Sequence, residues 1–460
     1  MRSLTTATAL VRGHEPVIAR RWRPAAFALA GISLLWVAIY NGYPVVWWDS
    51  GAYLASSVSF DVPVSRPVFY GLFMAVAGSR LTLWGVVVLQ SAILVFLLRQ
   101  TLVACRPDGV PSGQIDRALV GIAVVLALCT ALPWVAGEAM PDVFTSIAVL
   151  SLFLTVSTGG VLFSVLFVLS LVVHFTHVPL AAGLLVVAAV ASRLGWAVPA
   201  AGLRRAAVCL LVALLLIPAT NRALAGRWFF SDATPNMLLD HFLAQGITQK
   251  LLAERCPGAR YTLCSYRSNL PEVAGRYLWD PESPFTRVGG WQSASEASRL
   301  VRDTVRAYPL LVLQRTAATF VTQLTRFRTF AETERFGQGT GINYQVATSL
   351  PWEHDRYLRS PQQQGRLRGA AFRSLHLWVG ALSAATVAFL AFARRRKRPH
   401  EALLHLLCIS AVVLNAAVIA SAGSPDDRYA ARVMWLLTFS ALASLVGTWR
   451  VHLAGSARRS

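Results

Sequence analysis

Charged residues are scarce in this chain of 460 residues. They make up 14% of the sequence, whereas soluble domains carry roughly 25%. Lysine is nearly absent, because Lys250 and Lys397 are the only two, and arginine supplies almost all of the positive charge behind the formal net charge of +21. Hydrophobic residues account for 55% and recur in long runs. The chain is therefore predicted to be an all-α polytopic membrane protein.

Several familiar motifs are also missing. The six cysteines are scattered, with no CxxC pair and no Cys/His spacing typical of a metal site. No nucleic-acid-binding module accompanies the basic charge, so nucleic acid is not expected as a partner. No small-residue cleavage site follows the first apolar run, and we therefore expect that run to be a retained helix.

Ten apolar runs predict membrane-spanning helices, each of which needs about 20 apolar residues. They lie near 25–43, 81–98, 118–136, 142–158, 161–175, 178–194, 206–220, 373–393, 401–421 and 433–449. With ten spans, the arginine clusters between the runs, such as RRRKR at 394–398, all fall on one side. The positive-inside rule makes that side the cytoplasm. We predict a multi-pass protein of a bacterial inner membrane, with cytoplasmic N- and C-termini.

This topology divides the chain into three regions. They are an N-terminal transmembrane module at 1–220, a periplasmic loop domain at 221–372 and C-terminal transmembrane helices at 373–460. The loop domain is expected to be mixed but mostly helical. Cys256 and Cys264 would lie in an oxidising compartment, where a local disulfide is expected. Prolines and charges between 58 and 78 predict interfacial helices in the first outer loop.

Acidic residues near the predicted membrane boundaries are few. Because ionisable groups are costly at membrane depth, each is a candidate for function. Asp49 follows the first run in YPVVWWDSGAYL, with Tyr53 on the same face if the segment is helical. Glu138 and Asp142 lie in LPWVAGEAMPD. The plainer alternatives are a solvated loop acid for Asp49 and a helix cap for Asp142.

Three arginines are the predicted outer arginines nearest the ends of membrane spans, and they go against the positive-inside trend. They are Arg66, Arg428 and Arg432. The forked donors of a guanidinium suit a phosphate group. For Arg428, a salt bridge to Asp426 or Asp427 is the competing interpretation.

Two histidines in HFTHVP, His174 and His177, are predicted at the same side. Since no third ligand is evident, hydrogen-bonded structural roles are favoured over a metal site. Their position also suits contact with a phosphate.

Four stretches, taken in order, resemble the GT-C superfamily of membrane glycosyltransferases, which includes protein O-mannosyltransferases and lipid A aminoarabinose transferases. They are WWDSGAYL, RPVFYGLFMAVAGSRLTLWGVVVLQSAILVFLL, LPWVAGEAMPDVFTSIAVLSLFL and DDRYAARVMWLL. The resemblance covers about 1–220 and 373–449. The family often has two adjacent acids in the first loop, where this chain has Asp49 followed by Ser50.

The resemblance implies transfer of a sugar from a polyprenyl-phosphate donor, with inversion, at the periplasmic face. The acceptor would be a hydroxyl of a glycan, lipid or protein, and membrane lipid would surround the protein. Asp49 would be the general base. The implied site comprises Asp49, Glu138 and Asp142 as catalytic residues, Arg428, Arg66, His174 and His177 as donor-phosphate ligands, and Tyr53, Tyr70 and Tyr429 as substrate-cavity residues. No cofactor is firmly implied, and a divalent cation positioned by Glu138 or Asp142 is the one candidate.

Two other functions fit the same residues. A transporter or flippase of a lipid-linked precursor would use the outer arginines to hold a phosphate, and would need a polar path across the membrane midplane. A non-catalytic membrane scaffold would bind a partner through the loop domain. It would tolerate loss of Asp49.

Overall fold

The computed structural model describes residues 17–107, 110–326, 329 and 334–446. This part of the chain folds into helices joined by turns and contains no β-strand, which confirms the all-α prediction for the described residues. The predicted cytoplasmic termini lie outside the described residues, as does the end of the last apolar run at 447–449.

The helices fall into three groups along the chain. The first group is α1 Val17–Leu34, α2 Trp36–Asn41, α3 Ser50–Ser59, α4 Phe69–Val76, α5 Trp84–Cys105, α6 Ser112–Cys129, α7 Leu132–Ala136, α8 Val143–Ser157, α9 Val161–Val172, α10 His177–Arg193 and α11 Ala200–Ala225. The second is α12 Thr234–Ala244, α13 Ile247–Arg255, α14 Arg276–Trp279, α15 Ala294–Ala307, α16 Pro309–Thr325, α17 Gly341–Ser349 and α18 Pro351–Arg359. The third is α19 Arg373–Ala393, α20 Pro399–Ala422 and α21 Asp427–Ala443.

Five helices are long and apolar enough to cross a membrane, namely α5, α6, α11, α20 and the stretch 370–393 that contains α19. Helices α8, α9 and α10 are apolar but shorter. Each predicted run coincides with helical structure. The first run is split between α1 and α2. Several helices can thus cross a membrane, as expected of a membrane protein.

Helix α8 is the centre of the bundle. Every residue from Val143 to Val156 is buried, and α8 packs against α5, α9, α11, α20 and α21. This arrangement explains the continuous apolar sequence of α8, because a helix surrounded by other helices has no face that needs polar residues.

The helix ends form two polar clusters at opposite ends of α8. Near its C-terminus, Thr155 accepts a hydrogen bond from Arg205 at the start of α11, at 3.1 Å. Near its N-terminus, Thr145 contacts His177 at the start of α10, at 2.8 Å. We call the end of the bundle at the N-terminus of α8 the first end, and the other the second end.

Residues 239–300 contain a separate hydrophobic core, which we call the second core. Its buried side chains are Leu239, Leu243, Leu251, Leu252, Tyr261, Leu263, Tyr277, Leu278, Phe285, Ala297 and Leu300. A disulfide joins Cys256 and Cys264 at its edge. The pairing is the one expected from the sequence.

Residues 334–367, which we call the return segment, pack on the main bundle and not on the second core. Phe336, Ile342 and Tyr357 belong to the core of the bundle. Glu353 accepts hydrogen bonds from Tyr43, at 3.1 Å, and Thr82, at 2.6 Å. The predicted 221–372 region therefore contains two parts that pack in different places, a distinction that its polar composition does not reveal.

Candidate functional site

The first end brings together acids and arginines from three distant parts of the sequence. Asp49 precedes α3, Asp142 precedes α8, and Arg428 lies in the first turn of α21. Four helices, α3, α8, α10 and α21, begin at this end of the bundle. Because a helix N-terminus carries partial positive charge, their arrangement favours bound anions.

The Asp142 carboxylate is held by arginines of α21. Its Oδ1 lies 3.2 Å from Nε of Arg428 and 3.7 Å from Nη1 of Arg432. It makes no capping hydrogen bond to the backbone of α8. Asp426 instead caps α21 by accepting from the backbone N–H of Arg428 at 2.8 Å. Asp142 is thus not a side-chain cap of α8, and Arg428 pairs with Asp142 rather than with Asp426.

Arg432 is fixed more tightly than its place in the sequence indicates. Its Nη2 and Nε donate to Oδ1 of Asn415 in α20 at 2.7 and 3.0 Å. Its side chain is 1% exposed. The sequence signal was its position four residues after Arg428 on one helix, which places both guanidinium groups on the same face.

Aromatic rings enclose the arginines of α21. The guanidinium of Arg428 lies 5.3 Å from the ring centroid of Trp47 and 5.4 Å from that of Tyr429. Arg432 lies 5.0 Å from the same Tyr429 ring. These distances are within the range of cation–π attraction. Trp47, which its sequence position indicates as an interfacial anchor, thus also links the Asp49 loop to the arginines.

Asp49 forms an ion pair with Arg66 from the turn before α4. The carboxylate of Asp49 is 26% exposed, and the guanidinium of Arg66 is 15% exposed. Arg66 also lies 5.7 Å from the ring centroid of Tyr53. Asp49 is thus the more accessible acid of the site, but an arginine holds it in this conformation.

Glu138 is the most deeply buried acid of the site. Its side chain is fully buried, and neither carboxyl oxygen has a hydrogen-bond partner among the described residues. Its loop is fixed through the backbone, since Val45 donates to Gly137 at 2.9 Å and Ala139 donates to Val45 at 2.8 Å. Gln90 also donates to the Glu138 carbonyl at 2.7 Å.

The environment of Glu138 favours a neutral carboxyl group. Burial, followed by the negative charge of nearby Asp142, raises the pKa of Glu138 well above its usual range, against the opposing charge of Arg428. A protonated carboxyl can donate a hydrogen bond as well as accept one. Glu138 is therefore suited to binding a hydroxyl group without adding charge to the site.

The tyrosines expected in the substrate cavity occupy different positions. The ring of Tyr53 packs edge-on against that of Tyr70, with centroids 4.9 Å apart. The Tyr53 hydroxyl is buried and has no partner in the described structure, whereas the Tyr70 hydroxyl donates to Gln90 at 3.2 Å. Tyr429 is half-buried beside the arginines. Tyr53 and Tyr429 therefore adjoin the charged groups, and Tyr70 packs against the ring of Tyr53.

The two histidines lie beside the site with ring centroids 5.2 Å apart. Nδ1 of His177 faces the Ser170 carbonyl at 2.6 Å, so this nitrogen must donate. Its Nε2 faces the Thr145 hydroxyl at 2.8 Å. Both ring nitrogens of His177 are thus engaged within the protein, as in a structural histidine.

His174 differs from His177 because only its Nδ1 forms hydrogen-bond contacts with described residues. Its Nδ1 lies 2.8 Å from the Thr176 hydroxyl. Of the two histidines, His174 is the better placed to contact a ligand.

Among the described residues, no group of three His, Cys, Asp or Glu side chains is arranged to hold a metal ion. Comparison of the chain with protein-family models, with curated proteins and with solved structures finds no match.

Proposed function

We propose that this protein is an integral membrane glycosyltransferase that moves a sugar from a polyprenyl-phosphate donor to an acceptor hydroxyl, with inversion. The reaction would take place at the first end, facing the periplasm of a bacterial inner membrane, with ten helices crossing the bilayer. The resemblance of four sequence stretches to the GT-C superfamily supports this proposal. The gathering of those same stretches around one charged site supports it further.

The observation that carries the proposal is a cluster of three fixed guanidinium groups. Arg66 faces Asp49, while Arg428 and Arg432 face Asp142. Four helices also begin at this end of the bundle. Guanidinium groups and helix N-termini both bind anions, and a lipid-linked phosphate is such an anion.

The proposed reaction uses these groups as follows. The acceptor hydroxyl oxygen attacks the anomeric carbon, and Asp49 takes its proton. The bond between that carbon and the phosphate oxygen breaks, and the electron pair leaves with the polyprenyl phosphate. Arg428 and Arg432 stabilise the charge that grows on the phosphate. For Asp49 to act as base, Arg66 must release it or follow it toward the phosphate.

Glu138 and Asp142 have separate functions in this proposal. Asp142 orients Arg428 and Arg432 through the contacts of its Oδ1. Glu138, with its unpartnered carboxyl group, hydrogen bonds a hydroxyl of the sugar or the acceptor. The isoprenoid chain would lie in the surrounding lipid. His177 positions the start of α10 against α8 and does not contact the donor.

Replacement of the proposed base tests the proposal. We expect Asp49→Asn to reduce sugar transfer at least 100-fold in membranes supplied with a polyprenyl-phosphate sugar, because general-base catalysis contributes typically 10²–10⁴-fold. Asp61→Asn is the matched control, since Asp61 is an exposed acid of the same loop. Full activity of Asp49→Asn would refute the base assignment. A wild-type protein that moves the intact donor across the membrane without transferring sugar would be a flippase instead.

A further inference from the structure

Helix α16 has an apolar stripe that no described residue covers. Leu310, Leu313, Val321 and Leu324 are 80%, 65%, 58% and 41% exposed. With exposed Ala317 they follow spacings of three and four residues, which place them on one face of the helix. Exposed apolar positions that continue over four turns differ from the isolated exposed leucines of ordinary protein surfaces.

The position of α16 indicates what covers this stripe. The helix packs against α20, which is long and apolar enough to cross a membrane. Gln323 exchanges two hydrogen bonds with the backbone of Asp426, at 2.9 and 3.0 Å, and Arg326 donates to the Pro425 carbonyl at 2.6 Å. These contacts fix the C-terminal end of α16 at the level where α20 ends, which is where a bilayer boundary would lie.

The other sides of α16 carry polar and basic residues, as expected of a helix at a membrane boundary. Thr319 and Gln323 lie on the side that faces the protein, where they take part in hydrogen bonds with Gln245 and Asp426. Arg315, which is exposed, lies away from the stripe by helical spacing. A helix with one apolar face and a polar, basic opposite face is stable when it lies in the headgroup region of a membrane.

We infer that the stripe of α16 binds the lipid bilayer, so that α16 is an interfacial helix that anchors the second core to the membrane beside the site. A bilayer is favoured over a second copy of the chain, because α20 is long and apolar enough to cross a membrane and would bring lipid to this level. The inference requires a membrane protein but does not depend on the proposed chemistry.

Site-directed spin labelling tests this inference on the full chain in vesicles of phosphatidylcholine with one quarter phosphatidylglycerol. Single cysteines would replace Leu313 and Val321 on the stripe, with Arg315 and Thr322 as controls off it. The free cysteines Cys105, Cys129, Cys209 and Cys408 would first be replaced. Lipid-soluble oxygen and a water-soluble nickel chelate would then compete as relaxation agents.

We expect the stripe labels to be relaxed several-fold more by oxygen, relative to the nickel chelate, than the two control labels. Equal accessibility of all four labels to the nickel chelate would overturn the inference, since the stripe would then face water. Protection of the stripe labels from both agents would also overturn it, because a protein partner would then cover the stripe. Both readouts are independent of sugar transfer.

Discussion

The ion network around Asp142 predicts an asymmetric response to mutation. In Asp142→Asn, Arg428 and Arg432 lose the carboxylate that faces them at 3.2 and 3.7 Å. Removal of one partner from a buried pair costs about 3–5 kcal/mol, because an uncompensated charge remains. In Arg428→Gln, Asp142 keeps Arg432 as partner, so we expect a smaller cost of about 1–3 kcal/mol.

The double variant separates the pair from its surroundings. Asp142→Asn with Arg428→Gln leaves Arg432 with Asn415 as partner. We expect it to be less destabilised than the sum of the single variants, with a coupling energy of about 1–3 kcal/mol. The assay is reversible unfolding in mixed micelles with increasing dodecyl sulfate, followed by tryptophan fluorescence. Asp355→Asn is the control, since its exposed pair with Arg359 is worth less than about 1 kcal/mol.

Two results would refute this reasoning. If Asp142→Asn and Arg428→Gln cost the same, Arg432 does not support Asp142. If the single effects add without coupling, Asp142 and Arg428 do not interact in solution, and the orientation of the α21 arginines must have another cause.

Two further predictions concern the packing at Gly51 and the buried Asp240 of the second core. Gly51→Ala should destabilise the protein by about 1–3 kcal/mol, because the added Cβ would lie 2.8 Å from the Ile342 backbone nitrogen. Gly31→Ala is the control, because a Cβ there meets no atom within 4 Å. It should be neutral or stabilising in the same unfolding assay. Burial raises the pKa of Asp240 to about 6, so the second core should lose about 3 kcal/mol of stability as pH rises from about 4 to 6. Urea unfolding followed by hydrogen exchange of second-core peptides would show this loss, and Asp240→Asn should abolish it. An unchanged pH dependence in that variant would assign it to another group.

The helical framework could be predicted from the sequence. A long apolar run in a membrane has no water to hydrogen bond its backbone, and a helix satisfies those groups within the run. The runs at 142–158 and 373–393 correspond closely to α8 and α19. The first and last residues of the helices were less predictable where a helix continues beyond its apolar run into polar sequence. Helix α21 begins at Asp427, six residues before the apolar run at 433, because Asp426 caps it.

The acids and arginines of the candidate site were predictable, but their pairings were not. Sidedness alone placed Asp49, Glu138, Asp142 and Arg428 at one end. It could not indicate that Asp142, and not Asp426, faces Arg428, because that choice depends on how α8 and α21 pack. Nor could it indicate that the return segment packs against the loop of Asp49, since Gln362 exchanges hydrogen bonds with the backbone of Val46 across 316 residues of sequence.

The fate of the donor's phosphate bond tests the central proposal most directly. Purified protein in lipid nanodiscs would receive a polyprenyl-phosphate sugar labelled in both its lipid and its sugar, together with membrane-derived acceptors. We predict that the wild-type protein releases one free polyprenyl phosphate for each sugar transferred, and that Asp49→Asn releases almost none. Recovery of intact donor after prolonged incubation of the folded wild-type protein with every such donor would contradict the proposal.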